Sequence, residues 1–95
     1  MPMIRSFRHK GLQRFWTRSD ASGLRPDWVS KVDRLLRALD AAKLPKDLAI
    51  PGTGFHALRG DLKDRYAMTV SRNWRMTFGW DGEDAVDIDL EDYHG

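Results

Sequence analysis

The sequence has no cysteine, no long apolar run, and no lysine or arginine after position 75. The absence of cysteine excludes disulfides and thiolate metal sites. No apolar run approaches the roughly 18 residues that a membrane-spanning helix needs. Residues 1–5 also lack the apolar segment of a secretory signal. These absences predict a cytoplasmic protein that does not associate with a membrane.

Because the last 20 residues contain no Lys or Arg, the two parts of the chain differ in net charge. All 16 Lys and Arg residues lie in positions 1–75 beside 7 acids, and positions 76–95 hold the other 7 acids. The net charge of +2 therefore separates into +9 and −7. A basic body suits a polyanion such as RNA or an acidic protein partner. Solvated charges on an ordinary cytosolic domain explain the same distribution, so charge alone leaves nucleic-acid binding open.

The apolar content that is present suffices for one domain. The chain is 41% hydrophobic and 11% aromatic, which favours a single folded domain over residues 1–95. Apolar residues at helical spacing predict one helix over Lys10–Arg18 and a second over Pro26–Ala42. His9 is expected to be exposed at the start of the first helix. Residues 44–54 are predicted to form a loop, and the four tryptophans are expected to serve packing.

The hydrophobic period changes to two after this loop. Alternation and the turn residues between the runs predict strands over residues 66–71, 74–79 and 85–90. Two shorter segments, 4–7 and 55–58, are predicted as further strands. The order β-α-α-β-β-β predicts an α+β fold, in which a two-helix hairpin packs on one face of a mainly antiparallel sheet of four or five strands. The opposite face, which carries Arg75 and Thr77, is where we expect a ligand.

Acid–base groups collect at the end of the last predicted strand and near an earlier one. Asp92, Tyr93 and His94 directly follow the patterned strand, which is able to hold them still. His56 and Arg59 belong to the first strand region after the loop. Imidazoles, a carboxylate and a guanidinium together have the groups that proton transfer on a phosphodiester requires.

A structural explanation stands beside the catalytic one at these positions. His56 is also consistent with an ordinary loop histidine, and Arg59 with a surface charge. Arg75 is equally explained as a structural partner of the acidic last strand. Asp92 would then extend a run of solvated acids, and the residues after it would be a frayed chain end.

A metal site is not predicted. Asp87, Asp89 and Glu91 would project to one side of the last strand, opposite its apolar residues Val86, Ile88 and Leu90. A row of carboxylates is compatible with a divalent ion. No histidine lies among these acids, however, so a solvated strand face is the favoured interpretation, and we expect neither a metal nor another cofactor.

Several segments, in order and spacing along essentially the whole chain, resemble one known family. They are Ile4-Arg5-Ser6-Phe7, Leu39-Asp40-Ala41-Ala42, Phe55-His56-Ala57-Leu58-Arg59-Gly60-Asp61-Leu62, Asn73-Trp74-Arg75-Met76-Thr77-Phe78 and Asp92-Tyr93-His94. The chain resembles HigB-type toxins of bacterial toxin–antitoxin systems, within the RelE superfamily. The resemblance implies a compact RelE-like fold and a metal-independent, ribosome-dependent endoribonuclease that cuts mRNA in the ribosomal A site.

The resemblance also implies partners and site residues. A helix-turn-helix antitoxin of the HigA type would hold the toxin inactive, and operator DNA would be contacted only through that antitoxin. The functional positions of the family carry over to His56, Arg59, Arg75, Asp92, Tyr93 and His94. The family often has Lys where this chain has Arg59. Arginine keeps the positive charge and binds phosphate bidentately, but it does not donate a proton near neutral pH.

Metal-free RNA cleavage by such a toxin would use the 2′-hydroxyl of the substrate as nucleophile. His56 and His94 are the candidates for proton transfer, since imidazole titrates nearest physiological pH; which is acid and which is base stays open. Arg59 and Arg75 would hold the scissile phosphate. Asp92 would orient the second imidazole or assist proton transfer, and the tyrosine beside it would offer a stacking ring and a hydroxyl.

Two other functions compete with this hypothesis. A ParE-like toxin on the same fold would inhibit DNA gyrase without cutting RNA, but it would not require His56, Arg59 and His94 together. A standalone nucleic-acid-binding domain is disfavoured, because the apolar stripe of the helix hairpin must face the sheet and no recognition-helix pattern follows.

Overall fold

The computed structural model describes residues 4–58 and 65–92. Two α-helices precede a meander of strands, in the order that the sequence predicts. The helices are α1 (Lys10–Arg18) and α2 (Val29–Ala41), and short 3₁₀ turns cover Pro26–Trp28 and Pro45–Leu48. The strands are β1 (His56–Ala57), β2 (Arg65–Thr69), β3 (Trp74–Asp81) and β4 (Asp84–Asp92). The predicted α+β architecture is confirmed.

The four strands form one antiparallel sheet in the order β1-β2-β3-β4. The segment predicted as an initial strand is reduced to two isolated parallel bridges, Ile4 to Ala85 and Phe7 to Ile88. Between them, the Asp87 N–H donates to the hydroxyl of Ser6 at 2.8 Å rather than to a backbone carbonyl. A side chain therefore interrupts the ladder, and the segment lies along the outer edge of β4 without becoming a strand.

A β-bulge in β4 changes which residues face the helices. The register slips between Thr77 and Gly79, and Asp87 has a φ of 52°, in the left-handed region that Asp tolerates better than most residues. As a result Ala85, Ile88 and Leu90 are buried. The prediction that Val86 shares their face is wrong: the Val86 side chain lies beside Gly79 on the other face.

Both helices pack on one face of the sheet in a single core. The helices contribute Leu12, Val32, Leu35, Leu36 and Leu39, and the sheet contributes Met68, Met76, Phe78, Ile88 and Leu90. Trp28 is buried with its ring centroid 4.9 Å from that of Trp74, and Trp16 and Trp80 pack against the same core, as predicted for packing residues. Within the described ranges, no helix has both the length and the apolar character to cross a bilayer.

The start of α1 depends on two close contacts. The Leu12 N–H donates to Nδ1 of His9 at 3.1 Å, so an imidazole caps the helix. One residue into the helix, Gly11 lies against the loop before α2: a Cβ on Gly11 would stand 2.7 Å from the carbonyl oxygen of Gly23. The expectation of an exposed His9 is wrong, since the residue is half-buried at this junction.

Candidate functional site

The register of the sheet assigns the candidate residues to its two faces. Directly opposite residues of antiparallel strands share a face. One row across the sheet comprises His56, Ala67, Thr77 and Asp89. The next comprises Thr69, Arg75 and Glu91. His56 and Arg75 therefore lie on the face away from the helices, which we call the polar face, on strands about 10 Å apart.

His56 is exposed, and its ring is oriented by the loop before it. The Nδ1 atom lies 3.1 Å from the carbonyl oxygen of Gly54. A carbonyl only accepts hydrogen bonds, so this contact requires the proton to be on Nδ1. The other ring nitrogen, Nε2, is then the atom at which neutral His56 can accept a proton.

Gly54 is needed at the position that sets this geometry. Its φ is +62°, and a Cβ there would lie 2.5 Å from Oγ1 of Thr69. The neighbouring Thr53 is also fixed, because its carbonyl accepts from the Thr69 N–H at 2.8 Å and its buried hydroxyl donates to Leu48 O at 2.7 Å. The loop that leads into β1 therefore has little conformational freedom. This loop fixes the position of His56, which follows it directly.

Arg75 closes the turn between β2 and β3. Its Nη1 donates to the carbonyls of Ser71 at 2.9 Å, Arg72 at 3.2 Å and Trp74 at 3.2 Å. These contacts give the guanidinium a structural role in a turn, beside the register position opposite Glu91. They also fix its location at one end of the polar face.

Asp92 ends β4 opposite Trp74. Because the Trp74 ring packs on Trp28 in the helix layer, this register position belongs to the helix side of the sheet, unlike those of His56 and Arg75. Asp92 is exposed at the strand end. A site that uses all three residues must therefore be built around the end of the sheet.

Three of the predicted site residues, Arg59, Tyr93 and His94, lie outside the described residues. Among the described residues, His56 and Arg75 lie on one face of the sheet and Asp92 lies at its end. The predicted convergence of all six residues in one pocket stays a prediction.

A polar network that the sequence reasoning missed covers the middle of the polar face. Thr77 is fully buried although it points away from the core. Nη2 of Arg65 donates to the Thr77 hydroxyl at 3.1 Å and to the Asp87 carbonyl at 2.9 Å, and the Thr77 hydroxyl donates to the Glu91 carboxylate. Alternation alone does not bring these residues together: residues 65, 77 and 91 become neighbours on the polar face only once the strands are paired.

Arg65 is a desolvated cation in this network. Burial is the main cause that lowers its pKa, and the nearby charge of Arg8 adds to it, while Glu91, Asp87 and Asp89 act in the opposite direction. Its Nε is buried and has no hydrogen-bond partner among the described residues. The polar face thus holds a fixed positive charge partly balanced by the acids of β4.

The acids of β4 are partly exposed, as a solvated strand face requires, and they also contact neighbouring groups. Asp87 lies 3.9 Å from Arg8 and accepts from the Ser6 hydroxyl at 3.4 Å. Asp89 accepts from the Leu90 N–H at 2.9 Å. In the part of the chain that the structure describes, no group of three or more His, Asp or Glu side chains is arranged to hold a metal ion.

A second basic surface lies on α1. Lys10, Arg14 and Arg18 recur every fourth residue, and the helix contains no acid, so the three exposed cations form a stripe. Together with Gln13 and Thr17 they line a shallow recess of about 270 Å³. We call this surface the α1 stripe. The uneven charge of the sequence pointed to a basic surface, but not to this helix.

Comparison with known proteins finds relatives along the whole chain. Residues 5–94 match the family model of HigB-like toxins, described as the RelE-like toxin of the type II toxin–antitoxin system HigB. The chain is 36% identical over 92 residues to the endoribonuclease HigB of Proteus vulgaris, covering 97% of this chain and 100% of the relative. It is 34% identical over 80 residues to toxin HigB-1 of Vibrio cholerae serotype O1, covering 82% of this chain and 84% of the relative.

Proposed function

Because the chain belongs to the HigB-like family of RelE-like toxins of type II toxin–antitoxin systems, we propose that it is an endoribonuclease that cuts mRNA in the ribosomal A site and stops translation. The observation that carries this proposal is the identity to an endoribonuclease over the full length of that relative. The polar face supports it, since an exposed imidazole and a fixed guanidinium lie there. Gyrase inhibition, the alternative, gains no such support.

The proposed reaction needs no metal. A base removes the proton of the 2′-hydroxyl, the 2′-oxygen bonds to phosphorus, and the bond from phosphorus to the 5′-oxygen breaks. An acid protonates the leaving 5′-oxygen, giving a 2′,3′-cyclic phosphate and a 5′-hydroxyl. His56 and His94 fill these two roles. With Nδ1 directed at the Gly54 carbonyl, Nε2 is the atom of His56 that exchanges the proton.

The remaining site residues bind and orient. Arg59 and Arg75 neutralise the charge that builds on phosphorus, and the turn contacts of Arg75 reduce the rearrangement this requires. Asp92 orients His94, and Tyr93 stacks on a base. Arg59 acts through its charge and its hydrogen bonds to phosphate, because a guanidinium does not release a proton near neutral pH.

The ribosome, its mRNA and a HigA-type helix-turn-helix antitoxin are the proposed partners, and operator DNA is reached only through the antitoxin. The α1 stripe supports an RNA-rich partner, because its exposed cations lie along a helix that contains no acid, and such cations attract phosphates. The proposed location is the cytoplasm, where ribosomes and mRNA are found.

The test is primer extension on a translated mRNA. The parent chain should produce discrete 5′ ends only when ribosomes are translating, and His56→Ala, Arg59→Ala and His94→Ala should each lower the cleavage rate by about 10²-fold or more. Arg37→Ala is the control, since this exposed residue pairs only with Asp33 on α2 among the described residues. Cleavage that survives all three substitutions, or inhibition of gyrase supercoiling by the parent chain, would contradict the proposal.

A further inference from the structure

A groove lies between α2 and the loop that follows it. Its walls are Lys31, Arg34, Leu35 and Ala38 on the helix and residues 50–53 on the loop, and it encloses about 140 Å³. We call it the α2 groove. Leu35 in its floor is buried, whereas Ile50 at its rim is 50% exposed.

The apolar part of the groove is unusual for this chain. Among the described residues, only Leu44 and Ile50 are large apolar side chains with high exposure. A single exposed apolar residue is ordinary, but Ile50 lines a concavity beside the side chains of Leu35 and Ala38. A partner that inserts an aliphatic side chain there would cover Ile50 and the exposed part of Ala38 and would contact the buried Leu35. Concave apolar sites with a few polar groups are where ligands bind.

The charged residues at the rim of the groove indicate the charge of that partner. Lys31 and Arg34 line the groove, and no acid does. Lys31 donates to the Gly52 carbonyl, and neither cation forms an ion pair within the described residues. A carboxylate placed beside the inserted aliphatic group would therefore meet uncompensated positive charge, which favours an acidic partner.

The lining favours a protein over RNA. Phosphates would satisfy the two cations, but none of the residues around the groove offers an aromatic ring on which a base could stack. An aliphatic floor with a basic rim instead matches a peptide that carries an apolar residue next to Asp or Glu.

We propose that the α2 groove is the docking site for an acidic segment of the antitoxin, which inserts one aliphatic side chain against Leu35 and pairs a carboxylate with Arg34. The proposal rests on the membership in a type II toxin–antitoxin family, because that membership supplies a protein partner. Docking there leaves the polar face uncovered, since α2 packs on the opposite side of the sheet.

The test measures antitoxin affinity by calorimetry. Full-length toxin carrying His56→Ala is used throughout, with the helix-turn-helix protein encoded beside it. Ile50→Asp and Arg34→Glu should each weaken binding at least tenfold. The matched controls are Leu44→Asp, at the other exposed apolar residue, and Arg37→Glu, elsewhere on α2; both should change affinity less than threefold. All four positions are exposed, and melting temperatures of the free variants verify folding.

Three outcomes would overturn the proposal: unchanged affinity in both groove variants, equal losses in the controls, or loss of RNA binding with antitoxin binding intact. Cleavage of translated mRNA by the parent chain is measured separately. A parent that fails to cut RNA but binds the antitoxin through the groove refutes the proposed nuclease alone. A parent that cuts RNA while groove variants bind normally refutes the docking site alone.

Discussion

At the scale of single residues, His9 shows how a titratable side chain can serve as a structural cap. Its Nδ1 accepts from the Leu12 N–H, which only the neutral imidazole can do. Burial is the main cause that lowers the pKa of His9, Arg14 contributes in the same direction, and Asp89 opposes it. The folded protein therefore holds His9 neutral at pH values where the unfolded chain begins to bind a proton.

This linkage predicts a loss of stability in mild acid. Because the folded pKa of His9 lies below the ordinary value of 6.5, the unfolded state binds more protons as pH falls through that value, and the free energy of unfolding decreases. We expect the free energy of unfolding to fall by no more than an N-cap contributes, about 1 kcal/mol. Urea unfolding at pH 7.5 and 5.5 measures it. His9→Asn keeps a cap that does not titrate, so an equal acid sensitivity in this variant would contradict the assignment.

At the scale of elements, helices and strands were predictable because their patterns are local. The helix Lys10–Arg18 agrees with its prediction, since one apolar face and a break after it suffice to define it. The bulge at Asp87 was not predictable, because one added residue shifts the alternation of β4 and its position depends on pairing with β3. The network of Arg65 was missed for the same reason: its partners at 77 and 87 come from other strands.

The three cations of the α1 stripe are predicted to contact ribosomal RNA. Residues four apart on a helix stand about 6 Å apart along its axis, so three cations can contact a phosphate backbone together. Replacing Lys10, Arg14 and Arg18 by Gln should weaken ribosome binding and lower the slope of log affinity against log salt by about 2. Sedimentation of the His56→Ala protein with ribosomes at several salt concentrations measures both.

A matched control separates the stripe from net charge. Arg37, Lys43 and Lys46 are also exposed, and replacing these three by Gln removes the same charge elsewhere. If this control lowers the salt slope as much as the α1 variant does, the effect comes from overall charge and the helix is not the contact surface.

At the scale of the whole molecule, the loop over residues 50–55 connects the α2 groove with the proposed catalytic residue His56. One side of it walls the α2 groove, and its end carries the carbonyl that orients His56. From sequence, His56 was identifiable as a candidate by residue type and by family resemblance. The alternation of β3 places Arg75 on the face away from the helices, but that His56 shares this face depends on the pairing of β1 with β2, which no local pattern reveals. Asp92 stands at a register position of the other face, opposite Trp74.

Gly54 gives this connection a direct test. Gly54→Ala should strain a residue with positive φ and force its Cβ against Oγ1 of Thr69, 2.5 Å away, which costs about 1–3 kcal/mol and displaces the His56 ring. We expect a lower cleavage rate at saturating mRNA. Thr69→Ala in the same chain removes the obstructing hydroxyl and should restore part of the rate.

Gly52→Ala is the control that separates strain from collision. Gly52 also has a positive φ, +91°, but a Cβ there meets nothing within 4 Å. This variant should lose some stability from backbone strain and keep most of its cleavage rate, because His56 has no contact that the new methyl group disturbs. Melting temperatures recorded with the rates distinguish the two effects. Equal rate losses at 52 and 54, or no recovery on adding Thr69→Ala, would mean that the Gly54 contact does not position the imidazole.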